Sequence, residues 1–448
     1  MSLRFGTDGI RGVANRELTP EVALALGHAS ARHLQGSAFF VGSDTRRSSP
    51  MLKAALIAGL ASEGRHVFDL GVVPTPGLAW VVASRGIPGA MVSASHNPFP
   101  DNGIKLISEK GTKLSDALES EIESDLARTL VAAPIEGQEH LVGEALGEIE
   151  DARKLVGEYV DHLARSVDMP SDLSVKIVCD CGNGAAYKVA PAVFERLGVD
   201  AAVINDNPDG TNINAKCGAT APMMLGQVVV ERGADLGLSF DGDADRMIAV
   251  DGRGCVVDGD VLMALFALDL KDRGELANNA VVATVMSNLG LRRTLTRGGI
   301  ELIETPVGDR YVADAIDELG LVLGGEQSGH IVFRKYATTG DGVLTGIKLL
   351  ELVARSGRSL AELADDALTR VPQELRNVKV MSPDRLETAS GVWKAVAEVE
   401  ARLGDSGRVV IRPSGTESAV RVMVEADDVE MVDRALSAIV EAVELELG

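Results

Sequence analysis

Val175-Lys176-Ile177-Val178-Cys179 is a short apolar, β-branched run; a helical pattern over 185–197 follows it, and then a second apolar run over 200–204. A further run, Leu236-Gly237-Leu238-Ser239-Phe240, stops abruptly at Asp241. Strand-length apolar runs alternating with helical patterns predict α/β layers. The alternation extends in both directions. Upstream, Thr19-Pro20-Glu21 opens a helix, because Thr can cap and Pro is tolerated at the first helical position. Ser49-Pro50 opens another that Gly64 can close, and short strands are expected over 38–41, 66–70 and 89–93. A helix over 151–166 leads into the quoted stretch. Downstream come a helix over 261–270, a strand over 281–285, a helix over 289–296, a strand over 300–304, a helix over 310–319 and a strand over 321–323. Past Val371-Pro372 the pattern changes to a strand over 375–380, a long helix over 385–403, two strands flanking 412–418, and a last helix. That tail reads as a separate α+β domain. The expected division is 1–150, 151–251, 252–370 and 371–448, the first three blocks being similar in plan without a residue-level repeat.

A chain of 448 residues suggests roughly three to four domains. With 46% hydrophobic and 25% charged residues it has enough apolar material for several cores and too much for a disordered chain. Aromatics are only 3%, so the cores must be aliphatic, and stacking platforms for bases or sugars are scarce. The net charge of −22, with no long basic run, disfavours nucleic acid or an anionic membrane as partner. An anionic substrate would need a local cationic pocket. The first ten residues lack a basic-then-apolar leader and no stretch approaches the ~20 apolar residues of a membrane helix, so a cytoplasmic protein is expected. Cys179, Cys181, Cys217 and Cys255 form no C-x-x-C pair; reduced, mostly buried thiols are expected.

Three polar segments interrupt the apolar pattern where chemistry could sit. Ser93-Ala94-Ser95-His96-Asn97-Pro98 follows a strand and can present Ser95 Oγ as a nucleophile or phosphoryl carrier. No G-x-S-x-G elbow surrounds it, which argues against a serine hydrolase, although a simple turn has the same composition. Asp241-Gly242-Asp243-Ala244-Asp245-Arg246 places carboxylates at every second residue, which suits one hard cation such as Mg²⁺. An EF-hand would need Glu at the twelfth loop position, where Gly252 stands. Arg412-Pro413-Ser414-Gly415-Thr416 offers a guanidinium fork, hydroxyls and a glycine that lets backbone N–H groups approach an anion; a plain hairpin turn is the alternative. Two weaker candidates are Gly325-Glu326-Gln327-Ser328-Gly329-His330, whose Glu326 and Ser328 would point the same way if extended, and Thr305-Pro306-Val307-Gly308-Asp309-Arg310.

Together with Phe5-Gly6-Thr7-Asp8-Gly9-Ile10-Arg11-Gly12, these motifs in this order resemble the α-D-phosphohexomutase superfamily over nearly the whole chain. The resemblance implies four domains around a central cleft: three related α/β domains and a C-terminal domain of the TATA-binding-protein-like type. It implies that Ser95 is the phosphoserine and that Asp241, Asp243 and Asp245, with Ser95 through its phosphate, hold one Mg²⁺ per subunit. It also implies that Glu326 and Ser328 hold sugar hydroxyls and that Arg412, Ser414, Gly415 and Thr416 hold phosphate. Thr305, Gly308, His96 and Arg246 fall among its substrate contacts, and Lys105, Arg11 and His330 beside the reacting oxygens. Gln327 between Glu326 and Ser328 matches the glucosamine-type loop. The implied reaction interconverts glucosamine 6-phosphate and glucosamine 1-phosphate through glucosamine 1,6-bisphosphate and supplies aminosugar for cell-wall precursors. A kinase or a bisphosphate would prime Ser95. A phosphoglucomutase or phosphomannomutase, a metal-dependent phosphatase and a non-catalytic sugar-phosphate binder are the other readings. Relatives suggest a homodimer, and closure of the last domain would hinge in the 371–374 region. Ala244, where many members have Gly, is expected to matter little, both being small.

Overall fold

Thr19 caps the helix Pro20–His33 by accepting a hydrogen bond from the Val22 N–H (3.4 Å), with Pro20 in its first turn. A first-turn proline, without a side-chain cap, also starts Ser49–Ser62 with Pro50, Thr75–Arg85 with Pro76 and Pro222–Arg232 with Pro222. These helices lie on sheets in a computed structural model that describes residues 5–6, 8–131, 141–170, 174–414 and 418–448.

The first sheet runs, edge to edge, Ile10–Val13, Asp101–Ile107, Gly89–Val92, Ala38–Ser43, His66–Val72 and Ile149–Asp151. Its Ala38–Ser43, His66–Val72, Gly89–Val92 and Ile149–Asp151 strands are parallel, and Asp101–Ile107 returns antiparallel against Gly89–Val92. The helix expected from 151 begins instead at Leu155, because Asp151 is still paired with Asp69 in this sheet. The second sheet orders Val256–Val257, Met247–Asp251, Leu236–Phe240, Lys176–Asp180 and Asp200–Ile204. The third orders Glu301–Thr305, Ala280–Thr284, Leu323–Gly325 and Ile331–Phe333. One apolar cluster runs through both, from Tyr159 to Leu368, so the second and third blocks share a core, while each keeps a smaller one of its own around Val229 and Ile316.

The C-terminal unit has an antiparallel sheet of Gln373–Lys379, Ala419–Ala426 and Gly407–Pro413, covered by Ser390–Leu403 and Val429–Leu447. The long helix expected from 385 is broken, with a 3₁₀ segment Pro383–Thr388 preceding Ser390–Leu403. This unit joins the third block at Val371, whose N–H and C=O are both held by the Asn288 side-chain amide (3.0 and 2.9 Å). Glu425 adds a second tie, accepting from the Leu289 N–H at 3.0 Å and pairing with Arg408 at 2.5 Å. Cys179, Cys181 and Cys217 are buried free thiols and Cys255 is exposed. Among the described residues no helix is long and apolar enough to cross a membrane.

Candidate active site

Two buried strands aim their ends at one point. Gly89–Val92 delivers Ser93–Pro98 from the first block, and Leu236–Phe240 delivers Asp241–Arg246 from the second. Where they meet, Ser95 Oγ donates to Asp241 Oδ2 at 2.6 Å and lies 3.3 Å from His96 Nδ1. Ser95 has φ of 49°, in the left-handed region that non-glycine residues seldom adopt, so the turn is shaped by its surroundings and not by local preference.

Asp241, Asp243 and Asp245 are all buried, and one ligand oxygen from each falls within 4.8 Å of the others. Asp243 Oδ2 accepts from Thr75 Oγ1 (2.6 Å) and Lys105 Nζ (2.9 Å), while Lys105 lies 3.6 Å from Asp245. Asp243 Oδ1 and Asp245 Oδ1 are buried without a hydrogen-bond partner. Burial and the neighbouring Asp245 and Asp243 charges push Asp241 well above the usual carboxylate range. Burial opposes ionisation of Asp243 too, but Lys105 and Thr75 outweigh it and hold its carboxyl low. Lys105, desolvated yet facing Asp243, Asp245 and Asp8, keeps its ammonium above the ordinary lysine range. Three buried carboxylates, two of them with an unused oxygen, and no nitrogen or sulfur donor fit a hard divalent cation of the Mg²⁺ type.

The other expected residues surround this centre unevenly. Arg11 pairs with Asp8 at 3.1 Å, and Arg246 lies 3.8 Å from Asp245, its charge reinforced by Asp245, Asp241, Glu326 and Asp8. Burial, with Arg246 and Arg11 nearby, pushes His96 down to about 4, so its ring is neutral at pH 7. The loop between Leu323–Gly325 and Ile331–Phe333 is a turn, not an extended segment: Gly329 N–H bonds to Glu326 O at 3.0 Å. Ser328 Oγ still reaches Glu326 Oε2 at 3.4 Å, and Gly329 O accepts from the Met247 N–H, tying this loop to the aspartate loop. His330 Nε2 accepts from the Gly340 N–H at 3.2 Å, which leaves Nδ1, buried without a partner, as the ring's N–H donor. Thr305 ends the strand Glu301–Thr305 with its hydroxyl buried and unpartnered, and Gly308, with φ of 140°, precedes the helix Asp309–Leu319.

Arg412 and Ser414 sit on the C-terminal hairpin, with Arg412 Nε and Ser414 Oγ buried and unpartnered; among the described residues neither bonds to the Ser95 group. Burial and the adjacent Arg421 lower the Arg412 pKa. Gly415 and Thr416 lie outside the described residues.

Several residues of the site carried no signal as chemistry in the sequence. Thr75 drew no reading from the sequence, yet it bonds Asp243 through both its backbone N–H and its hydroxyl. Asn214 reaches from the second block to Ser95 O at 2.9 Å. Lys113 bridges Asp8 (3.1 Å) and Asp309 (2.6 Å), linking the first and third blocks. Asp44-Thr45-Arg46 is the missed segment with a legible cue, a polar triplet that ends an apolar strand as Asp241 does.

Four family models, all of phosphoglucomutase/phosphomannomutase, match in succession: alpha/beta/alpha domain I over residues 2–131, domain II over 157–254, domain III over 258–371 and the C-terminal domain over 375–442. A phosphoglucosamine mutase from Symbiobacterium thermophilum is 48% identical, with 100% of each chain covered. One from Mycolicibacterium smegmatis is 46% identical, also with 100% of each covered. In structure, a phosphoglucomutase/phosphomannomutase family protein from Burkholderia thailandensis superposes with a TM-score of 0.81 at 25% identity, covering 100% of this chain and 98% of its own. An N-acetylglucosamine-phosphate mutase solved in its product complex shares the fold, with a TM-score of 0.68 at 19% identity, covering 99% of this chain and 96% of that one. Matched over most of its length by the four models in succession and over its whole length by relatives 46–48% identical, the chain belongs to the phosphoglucosamine mutases of the phosphoglucomutase/phosphomannomutase family.

Proposed function

We propose that this enzyme interconverts glucosamine 6-phosphate and glucosamine 1-phosphate, with Ser95 carrying the stored phosphoryl group. The observation that carries this reading is the contact of Ser95 Oγ with Asp241 at 2.6 Å beside two further buried carboxylates. A hydroxyl meant only to make a turn has no reason to be buried against one member of a cluster of three desolvated carboxyl groups. The names of the full-length relatives support the aminosugar as substrate.

In the forward half-reaction the Ser95 Oγ–P bond breaks as a bond forms from phosphorus to sugar O1; the O1 proton leaves and Ser95 Oγ takes one up. Glucosamine 1,6-bisphosphate then turns over in the cleft, and its O6 phosphoryl group returns to Ser95. Asp241, Asp243 and Asp245 would hold Mg²⁺, which when bound supplies charge neutralisation at a phosphoryl oxygen in the loose transition state. Lys105, 2.9 Å from Asp243, adds a fixed positive charge on the same side, and Arg11 and Arg246 extend it towards the sugar loops. Glu326 and Ser328 bind sugar hydroxyls, and His330 Nδ1–H offers them a donor. Arg412, Ser414, Gly415 and Thr416 hold whichever phosphate is not reacting. Thr305, Gly308 and His96 complete the contacts. The division at 150, 251 and 370 belongs to the same reading; the four sheets follow it except that Ile149–Asp151 straddles the first boundary and Val256–Val257, past the second, still pairs in the second sheet.

Comparing initial rates on glucosamine 6-phosphate, glucose 1-phosphate and mannose 1-phosphate, each with Mg²⁺ and its own 1,6-bisphosphate, tests the proposal. Strong preference for the aminosugar is expected. Equal or faster turnover of the glucose or mannose phosphates overturns the substrate while keeping the chemistry, and release of free phosphate alone overturns the mutase reading.

A further inference from the structure

Arg46 heads the fully buried side chains by size, and none of its side-chain hydrogen bonds goes to Asp241, Asp243 or Asp245. All five of its guanidinium donors are used. Nε bonds Asp44 Oδ2 at 2.8 Å. Nη1 bonds the carbonyls of Pro98 (2.6 Å) and Asp101 (3.1 Å), and Nη2 those of Ser95 and Asn97 (both 2.8 Å). Asp44 is occupied in turn: its other oxygen accepts from the Arg46 N–H at 3.0 Å and Ser49 Oγ at 2.6 Å, and Oδ2 also takes Ser93 Oγ at 2.7 Å. Ser93 Oγ closes the frame by accepting from the Ser95 N–H at 3.0 Å.

We propose that Arg46, with Asp44 and Ser93, is a positioning device that grips Ser95 by its backbone N–H and C=O together and so holds the left-handed turn that aims Oγ at the aspartates. The inference rests on Ser95 being the phosphoryl carrier. Ser95 sits at φ of 49°, a conformation with no intrinsic preference for serine, so something outside the residue must maintain it. A guanidinium is the one side chain with enough donors in a rigid plane to bind four carbonyls and a carboxylate at once; lysine has three donors on a flexible stem. The arrangement also pairs four carbonyl oxygens with one buried cation. Asn214 contributes a weaker second hold on Ser95 O from the neighbouring block.

The test compares wild-type enzyme, Arg46→Lys, Arg46→Ala and Ser93→Ala, each first incubated with glucosamine 1,6-bisphosphate and checked for phosphate on Ser95 by mass spectrometry. Arg46→Lys and Ser93→Ala are expected to accept phosphate but to lose about 100-fold in kcat, with KM for glucosamine 6-phosphate nearly unchanged, as misplacing a reacting atom by about 1 Å does. Millimolar guanidinium should restore part of the kcat of Arg46→Ala without changing its KM. Should Arg46→Ala fail to fold, Ser93→Ala decides, because it removes one hydroxyl and leaves the buried charge pair intact. Wild-type kcat in folded Arg46→Lys and Ser93→Ala overturns the proposal. So does a loss of activity that follows only a loss of Tm, with no response to guanidinium. If the wild-type enzyme itself never carries phosphate on Ser95, the carrier reading fails, and the positioning proposal fails with it, a result distinct from both of those.

Discussion

Gly242 lies against Ser95 so closely that a Cβ on Gly242 would sit 2.5 Å from the Ser95 carbonyl oxygen. The aspartate loop and the serine loop therefore meet backbone to backbone, and only glycine permits that approach. Gly242→Ala should force the loops apart by a few tenths of an ångström or more. Activity is expected to fall by roughly 100-fold, the scale of a displaced catalytic constellation, with little change in Tm. Steady-state kinetics beside thermal unfolding check it.

Three buried carboxylates within reach of one another favour function over stability. In metal-free buffer Asp245→Asn should raise Tm, because it removes a like charge from a desolvated cluster, while mutase activity is lost. Chelation of the wild-type enzyme should abolish turnover, and added Mg²⁺ should restore it and raise Tm. Thermal unfolding with and without EDTA, in parallel with rates, reads all of these outcomes.

Ala244 qualifies one expectation. Alanine is small enough for its place, but its φ of 57° puts a Cβ where only glycine is unstrained. Ala244→Gly should therefore stabilise the fold by up to about 1 kcal/mol, seen as a small rise in Tm, and leave kcat near the wild-type value.

A pH dependence follows from Asp260, buried in the first turn of the helix Gly259–Asp272. Burial and the nearby Asp258 push it up to about 7; the Asn288 N–H, the Ser287 hydroxyl and Arg370 oppose the shift without cancelling it. A folded-state value above the unfolded one means that the native state binds the proton more tightly. That contribution is complete below about pH 4 and is lost as pH rises through 7, on the order of 1.4 kcal/mol for each tenfold in proton affinity. Asp260→Asn should flatten the fall in Tm between pH 4 and pH 7 relative to wild type.

Much of this was legible in the residues. The apolar runs ending at Gly89–Val92 and Leu236–Phe240 marked two strands, and the polar clusters directly after them marked the loops that meet at Ser95 and Asp241. What escaped was whatever depends on distant pairing. Asp151 reads as a helix start until Asp69 is seen beside it, and Gly342–Ser356 was missed because a helix buried along most of its length shows no polar face. Arg46 and Thr75 serve the site from 49 and 168 residues away from the groups they hold, a distance no local pattern spans.

The central claim is that Ser95 stores and returns a phosphoryl group. Enzyme loaded from glucosamine 1,6-bisphosphate labelled with ³²P should carry one label on the peptide containing Ser95, and unlabelled glucosamine 6-phosphate should remove it in a single turnover at the catalytic rate. A Ser95→Ala variant should carry none and be inactive. Label absent from Ser95 in an active enzyme, or passing to water instead of sugar, would contradict the account.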